Sequence, residues 1–386
     1  MQSEKPTRQK VRNIDWITII LVLVLVTIGI ITIANVKAEP FTGTESTIED
    51  IQAKLNLEYV QRQIVNFLVG VAALLVLVAV DYHIFRHFIK YIYVGNVLLL
   101  AFLVLAGDST RGIFGWITVG SRMFQPSEVC KITLIVALSI YAADAVERDG
   151  KLKSLKDVLL MCAIFGVPFV LVLLQPDFGT AIVFAAIFAC ILFMSKISWK
   201  YILAALGAIA VMAPVSYFYL LSDDQKARID VFIDPSLDLL GTGMQVDQSK
   251  IAIGSGQMWG KGYFTEGTLA QLKYVPESHT DFIFSGIAEG LGFVGGTVVI
   301  ALFFILMFRW LYIALRAKDH LGTCIAIGAM GMILAHVFEN IGMTIGLMPV
   351  TGIPLPFVSY GGSNLLTNMM AVGLVLNIWL RRHQKR

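Results

Sequence analysis

The sequence IDWITIILVLVLVTIGIITIANV occupies residues 14–36 and follows a basic segment that contains Lys5, Arg8, Lys10 and Arg12. A helix needs about 20 consecutive apolar residues to cross a bilayer, and this run supplies them. It is longer than the roughly 7–15 apolar residues of a signal peptide, and no convincing small-residue cleavage site accompanies it. We therefore expect a first membrane span that stays in the protein.

Nine further apolar runs follow this first one. They cover about residues 64–80, 91–106, 126–144, 157–174, 179–195, 200–221, 283–315, 320–346 and 364–380. The chain of 386 residues is 57% hydrophobic and 15% charged, whereas soluble domains are about 45–50% apolar and about 25% charged. This composition excludes a soluble enzyme, a coiled coil, a disordered chain and a disulfide scaffold. We predict an all-α polytopic membrane protein of ten spans that forms a single domain over residues 1–386.

Lysine and arginine are distributed unevenly between the connecting segments. With the N-terminus in the cytoplasm, the inside segments carry 19 of the 30 basic residues in about 57 positions, and the outside segments carry 10 in about 128. This asymmetry follows the positive-inside rule, so we expect both termini in the cytoplasm. The outer loop 222–282, between spans 7 and 8, is much longer than an ordinary connection and is expected to be functional.

Ionisable side chains inside membrane spans are costly and usually functional. Here they collect at the outer ends of the predicted helices, as Arg111, Glu128, Lys131, Asp177, Asp281 and Glu289. A polar site that opens outward explains this better than a proton path across the membrane. The four cysteines lie inside apolar runs and form no disulfide or metal pattern, so we interpret them as small core residues. The net charge of +3 is too small to indicate a nucleic acid partner.

Glu128 and Lys131 stand three residues apart at the start of the fourth span and share one helix face. Two interpretations of this pair are open: it neutralises itself, or Lys131 meets an anionic head group that Glu128 helps to position. Asp177 lies in the outer turn QPDFGT. It either caps the sixth span or belongs to the same site.

Two more outer segments carry candidate residues. Arg111 and Trp116 begin and end the segment RGIFGW, which is either an interfacial anchor or an arginine for pyrophosphate beside a ring for sugar or lipid. Thr280 or Asp281 is either the N-cap of the eighth span or, for Asp281, a general base at the mouth of a cavity. Ser285 lies one turn below Asp281 on nearly the same face.

The segment HVFEN at residues 336–340 raises the question of a metal site, because His336 and Glu339 are three residues apart. We do not favour a metal there, since no third or fourth ligand has suitable spacing. The segment from residue 348 to residue 363 has three prolines and several glycines and is predicted to form a re-entrant outer loop. Such backbone is tolerated near membrane depth only where protein or water surrounds it.

Four of these motifs together resemble the SEDS family, the shape, elongation, division and sporulation polymerases of bacterial cell walls. They are QPSE at 125–128, QPDFGT at 175–180, HTDFIF at 279–284 and SYGGS at 359–363. The resemblance runs from about residue 12 to 382. The sequence GKG at 260–262, with Pro276 and Glu277 downstream, and HVFENIGM at 336–343 are more similar to the elongation branch, RodA, than to FtsW.

This resemblance implies a peptidoglycan glycosyltransferase of the bacterial plasma membrane that polymerises lipid II on the outer face. It implies a class B penicillin-binding protein as partner, beside the nascent glycan strand and membrane lipids. The essential aspartate of the family falls on Asp281, its loop tryptophan on Trp116, its polar pair on Glu128 and Lys131, and its outer turn acid on Asp177. The segment RGIFGW lacks the second arginine of the usual family pattern, which leaves the share of that loop in pyrophosphate binding open.

The implied reaction transfers a glycan from a lipid pyrophosphate to the 4-hydroxyl of the GlcNAc of lipid II with inversion. Asp281 would be the base on the acceptor, and Arg111, Lys131 and Lys261 are the candidates that stabilise the leaving pyrophosphate. Ser359 is counted with the substrate-binding residues. The sequence identifies no cofactor with certainty, and a divalent cation, Mg or Mn, could assist.

Two other functions remain as alternatives. A lipid II flippase or transporter would suit ten spans with intramembrane charges, but no inverted repeat is visible and the charges collect on one side. A scaffold that only docks a transpeptidase would leave the outer acids without a purpose.

Glycines on spans 8 and 9 form a separate hypothesis. Either they receive the single span of the partner, because small residues let helices approach closely, or they pack inside the bundle. They are Gly286, Gly290, Gly292, Gly295 and Gly296 on span 8, and Gly322, Gly328 and Gly331 on span 9.

Overall fold

The computed structural model describes residues 14–40, 54–106, 115–119, 122–152, 154–220, 223–234, 237–238 and 241–383. Its helices are α1 Trp16–Lys37, α2 Leu57–Ala79, α3 Phe85–Ala106, α4 Pro126–Asp149, α5 Leu155–Leu174, α6 Phe178–Met194, α7 Trp199–Val215, α8 Asp223–Ile233, α9 Thr242–Ser255, α10 Ile283–Leu315, α11 His320–Thr344 and α12 Gly362–Arg381. Strands β1 Ile117–Val119 and β2 Arg122–Phe124 form an antiparallel hairpin.

Each of the ten predicted apolar runs is a helix in this structure. In the described part of the chain, eight helices are long and apolar enough to cross a membrane. The other two helices that correspond to predicted spans, α6 and α7, have 17 residues each. The all-α fold class is confirmed, and the count of ten spans stays a prediction.

The interior of the bundle is built from α4, α11 and α12. In their most apolar stretches 72%, 78% and 83% of the residues are buried, whereas the figure is 11% for α2 and α3. Helix α11 packs on α6 through small residues. A Cβ on Gly331 would lie 2.8 Å from the Cys190 Sγ, and one on Gly328 would lie 2.9 Å from the Ile191 Cδ1. A larger residue at either position would force these side chains to shift, so the glycines allow the helices to approach closely.

Helix α10 is interrupted at Gly292, whose φ of 70° and ψ of −170° are not helical. Residues from the long loop insert at this break. The amides of Lys261 and Gly262 donate to the carbonyls of Glu289 and Gly290, both at 2.9 Å, and the Phe293 amide donates to the Gln257 carbonyl at 2.8 Å. The inserted backbone satisfies groups that the kink would otherwise leave unpaired.

The sequence interpretation of residues 222–282 as one loop is incomplete, because α8 and α9 lie within it. Helix α9 packs on α10. The whole segment 283–290 at the start of α10 is buried. The helix has 33 residues, more than the roughly 20 that a bilayer requires, and this first part of it therefore stands inside protein.

The predicted docking surface on the glycines of spans 8 and 9 is wrong for six of its eight members. Gly286, Gly290, Gly292, Gly322, Gly328 and Gly331 face other segments of this chain, among them Val36, Tyr263 and Ile378. The nearest atoms to Gly295 and Gly296 belong to α10 itself. Those six glycines serve internal packing, which is the alternative that the sequence left open, and partner docking at Gly295 and Gly296 stays a prediction.

Candidate functional site

Polar side chains converge at one end of the bundle, which we call the loop face: the end where α4, α6, α10 and α12 begin. Hydrogen bonds join their first residues. The Gln125 Nε2 donates to the Asp177 Oδ2 at 2.9 Å, and the Gln125 amide donates to the Ser363 Oγ at 3.1 Å. The starts of α4, α6 and α12 are thereby fixed next to one another.

Glu128 and Lys131 form an ion pair of 2.8 Å between the Lys131 Nζ and the Glu128 Oε1. The side chain of Lys131 is completely buried and that of Glu128 is 4% exposed. The Lys131 Nζ also lies 2.9 Å from the Nε2 of His336 on α11. The Glu128 Oε2 has no hydrogen-bond partner among the described residues. The pair is therefore real, but it leaves an acceptor and one of the three ammonium protons available to a further group.

The possible metal site at His336 and Glu339 has no third His, Cys, Asp or Glu ligand among the described residues. Within the described ranges no group of three His, Cys, Asp or Glu side chains could hold a metal ion. Both carboxylate oxygens of Glu339 are buried without a hydrogen-bond partner among these residues. The described side chains therefore identify no ligand set for a divalent cation, and assistance by Mg or Mn stays a prediction.

Asp177 caps α6: its Oδ1 accepts from the Thr180 amide at 3.1 Å. Its other oxygen accepts from Gln125, and the residue is 4% exposed. The capping interpretation is confirmed. A place in the site stays a prediction, supported by the bond to Gln125 at the start of the helix that carries Glu128 and Lys131.

Asp281 is half-buried and lies just before α10. The N-cap of α10 is Phe282, which makes no side-chain capping bond, so the sequence alternative of Thr280 or Asp281 as a plain N-cap is wrong. The Thr280 hydroxyl instead donates to the Glu277 Oε2 at 2.8 Å. The Ser285 hydroxyl donates to the Phe282 carbonyl at 2.7 Å and so serves its own helix.

The backbone around Asp281 is held at three successive carbonyls. That of His279 accepts from the Tyr360 amide at 3.0 Å, that of Thr280 from the Ser359 hydroxyl at 2.7 Å, and that of Asp281 from the Asn340 Nδ2 at 2.7 Å. A Cβ built on Gly352 would lie 3.6 Å from the Asp281 Oδ2, which places the carboxylate against the proline-rich loop.

Ser359 makes hydrogen bonds inside the protein through its hydroxyl and its carbonyl. Its hydroxyl donates to Thr280 and accepts from the Leu355 amide at 2.8 Å, so both functions of the hydroxyl are used inside the protein. Its carbonyl accepts from the Nε2 of the buried Gln63 at 3.1 Å. Ser359 therefore supports the segment before α10, and a direct contact with substrate stays a prediction.

Lys261 lies on the inserted loop and pairs with Glu289, at 3.0 Å between Nζ and Oε1. Glu289 is fully buried and also accepts from the amides of Leu269 at 2.6 Å and Ala270 at 2.8 Å. Glu289 thus anchors the loop to α10. Lys261 neutralises this carboxylate while 32% of its side chain stays exposed.

The same loop is attached to α1. The Phe264 amide donates to the Asn35 Oδ1 at 2.7 Å, and the Tyr263 and Thr32 hydroxyls share a hydrogen bond of 2.8 Å. Burial raises the pKa of Tyr263, so its hydroxyl stays protonated and able to donate. Residues 256–270 are consequently held between α1 and α10.

Of the two candidate residues in the segment RGIFGW, the structure describes one. Arg111 lies outside the described residues. Trp116 is half-buried directly before β1, and its Nε1 has no hydrogen-bond partner in the described part of the chain. Since β2 packs against α12, the hairpin attaches Trp116 to the loop face.

Sequence reasoning missed the structural roles of Gln63 and Gln125. It considered a role for Asn340 and His336 only as part of a possible metal site. All four are buried and make the bonds that join the candidate residues. The available signal was the presence of an amide in or at the end of an apolar span, where its polar atoms need hydrogen-bond partners inside the protein.

Comparison with known proteins agrees with the motifs. The profile of the FtsW/RodA/SpoVE family, described as cell cycle proteins, matches residues 15–384. The chain is 38% identical over 322 residues to the peptidoglycan glycosyltransferase MrdB of Escherichia coli K12, covering 83% of this chain and 86% of that protein.

Solved structures share the fold. A chain from a study of how a peptidoglycan synthase complex coordinates polymerization and crosslinking superposes with a TM-score of 0.76 at 26% identity, covering 96% of this chain and 99% of that one. The rod shape determining protein RodA of Thermus thermophilus gives a TM-score of 0.68 at 24% identity, with 96% and 98% covered. The chain is thus a multi-pass membrane protein, and it belongs to the FtsW/RodA/SpoVE family, which is the SEDS family that its motifs resemble.

Proposed function

We propose that this protein is a peptidoglycan glycosyltransferase that transfers a lipid-pyrophosphate-linked glycan to the 4-hydroxyl of the GlcNAc of lipid II during cell elongation. The similarity to MrdB supports the reaction class. The observation that carries the proposal is the presence, at the same face of the bundle, of a half-buried carboxylate on a held backbone, Asp281, and of a buried ammonium, Lys131.

In this mechanism Asp281 accepts the proton of the acceptor hydroxyl as it attacks the anomeric carbon of the donor. An α-linked donor that gives a β-1,4 product requires inversion, and therefore one base and no covalent intermediate. The three hydrogen bonds that hold residues 279–281 keep the carboxylate in one place. A fixed base is effective because proton transfer first requires the correct geometry and then a suitable pKa of the base.

The leaving pyrophosphate requires positive charge. Lys131 keeps one ammonium proton that no described residue accepts, and in a buried site a charged donor binds a phosphate oxygen strongly. Lys261 is the second cation at the loop face and Arg111 the third candidate. Trp116 would stack on sugar or lipid, and Asp177 would orient Gln125 and the start of α4.

The loop face would lie outside the cytoplasmic membrane, with both termini in the cytoplasm. The distribution of lysine and arginine supports this orientation. A class B penicillin-binding protein would receive the strand for crosslinking. The structural likeness to a chain studied in a complex that polymerises and crosslinks supports such a partner.

The decisive experiment uses purified protein in detergent with lipid II and no bilayer. We expect glycan chains from the wild-type chain and a loss of about 10²–10⁴ in rate for Asp281→Asn, which removes a positioned base. Detergent eliminates transport as a source of product. The absence of polymer from a folded wild-type chain, or wild-type activity of Asp281→Asn, would contradict the proposal.

A further inference from the structure

His336 and Asn340 stand four residues apart on α11 and therefore share one face of the helix. Both are completely buried. Each forms hydrogen bonds to two other segments of the chain, and one of those two segments is the same for both. That shared segment is the proline-rich loop, at residues 353 and 354.

Asn340 connects this loop to the start of α10. Its Nδ2 donates to the carbonyl of Asp281 at 2.7 Å and to the carbonyl of Ile353 at 2.7 Å. A side-chain amide nitrogen has two protons, so both are used. A side chain that lacks two protons on one atom could not donate a hydrogen bond to each of these carbonyls from that atom.

His336 connects the loop to α4. A lysine ammonium can only donate, so the His336 Nε2, at 2.9 Å from the Lys131 Nζ, must be the acceptor. The proton of the neutral ring is then on Nδ1, which donates to the Pro354 carbonyl at 3.3 Å. The ring orientation and its tautomer are both set by its two partners.

We propose that His336 and Asn340 are positioning residues that hold Lys131 and the Asp281 segment at a fixed separation, with the adjacent carbonyls of Ile353 and Pro354 as their common support. This inference rests on the proposed function, which makes Lys131 the cation for the leaving group and Asp281 the base. A displacement of about 1 Å between two such groups can lower a rate by about 10².

Four variants test the inference in the detergent polymerisation assay. Asn340→Leu should lower kcat about 10²-fold with KM for lipid II changed less than about threefold, because it releases the base and not the substrate. His336→Leu should raise KM as well, because Lys131 loses a partner. His336→Gln, which retains an acceptor, should recover most of the loss. Thr344→Val is the matched control and should behave as wild type, since among the described residues the buried Thr344 hydroxyl bonds only to the Ile341 carbonyl of its own helix.

A double-mutant cycle separates positioning from general damage. In an Asp281→Asn background Asn340→Leu should cause almost no further loss, because the group it positions has gone. Backbone amide exchange gives a second measurement that does not need activity: Asn340→Leu should speed exchange in residues 279–284 and 353–358 together. If Asn340→Leu does not give a monodisperse protein, Asn340→Ser replaces it, since a single hydroxyl proton cannot bridge both carbonyls.

Wild-type kcat and KM in both leucine variants, additive losses in the cycle, or unchanged exchange in both segments would each overturn the inference. An inactive but folded wild-type chain would instead contradict the proposed function. In that case the exchange measurement still decides whether Asn340 holds the two segments.

Discussion

At the residue scale the buried pair Glu128 and Lys131 is the most consequential feature. An ion pair that is removed from solvent repays its desolvation only if further hydrogen bonds complete it. His336 supplies one such bond to Lys131, but the Glu128 Oε2 has none among the described residues. The pair is therefore expected to add little to the stability of the fold, which favours the interpretation that it binds a ligand.

This argument predicts how the pair responds to substitution. Lys131→Met leaves a buried carboxylate without its cation and should destabilise the fold by about 3–5 kcal/mol. Glu128→Gln combined with Lys131→Met removes both charges and should recover most of that stability. Both proteins should lack polymerase activity, because neither has the ammonium.

Thermal unfolding in detergent and the polymerisation assay measure the two effects separately. Asp247→Asn is the control, because the pair of Asp247 with Lys250 is exposed on both sides and should contribute less than about 1 kcal/mol. A double variant no more stable than Lys131→Met would show that the damage is not electrostatic. Activity in the double variant would remove Lys131 from the mechanism.

At the scale of elements, the kink in α10 determines where the inserted loop lies. Gly292 has a φ of 70°, and a Cβ there would meet the backbone of Met258 and Gly260. Gly292→Ala should therefore separate the loop from the helix and lower stability by more than about 1 kcal/mol, since both strain and a clash with backbone result. Polymerisation should fall with it, because Lys261 follows the loop.

Gly95→Ala on α3 is the matched control. Apart from the neighbouring backbone of its own helix, no atom of the described residues lies within 4 Å of a Cβ at that position. Alanine is the better helix former by about 1 kcal/mol, so the variant should be as stable as wild type or slightly more stable. Unfolding temperature and limited proteolysis of residues 256–275 are the measurements. If Gly292→Ala unfolds and is cleaved as slowly as Gly95→Ala, the contact between loop and kink has no energetic importance.

Elements also show where sequence reasoning succeeds. The length of the apolar runs was enough to locate the ten helices that correspond to predicted spans, because a helix needs about 20 apolar residues to cross a bilayer. Apolar length could not predict α8 and α9, because their sequences are as polar as those of loops. Nor could it predict the break at Gly292, because that break depends on backbone hydrogen bonds with residues 257–262. The acidic and basic residues of the site could be recognised in the sequence because a charged side chain inside a membrane span is energetically costly. Asn340, by contrast, acquires its role only from contacts with residues more than ten positions away in the chain.

At the scale of the whole molecule, charged and aromatic residues indicate how the protein is oriented across the membrane. Basic residues at the end opposite the loop face are fixed by aromatic rings and acids. The Arg309 guanidinium lies 4.7 Å from the centre of the Trp379 ring and 2.8 Å from the Asp15 carboxylate, and that of Arg382 lies 3.5 Å from the same ring. Aromatic belts with arginine are typical of a membrane interface, and the excess of positive charge favours the cytoplasmic one.

This orientation predicts which single cysteines an impermeant maleimide reaches in intact cells. Glu266→Cys lies in the exposed part of the loop between α9 and α10 and should react from outside. Lys151→Cys, exposed between α4 and α5 at the opposite end, should react only after the membrane is permeabilised. The unsubstituted chain measures background labelling, which should be low because Cys130 and Cys324 are buried and Cys162 and Cys190 lie within apolar helices. Reversed accessibility of the two positions would place the loop face in the cytoplasm, where it could not act on an external glycan.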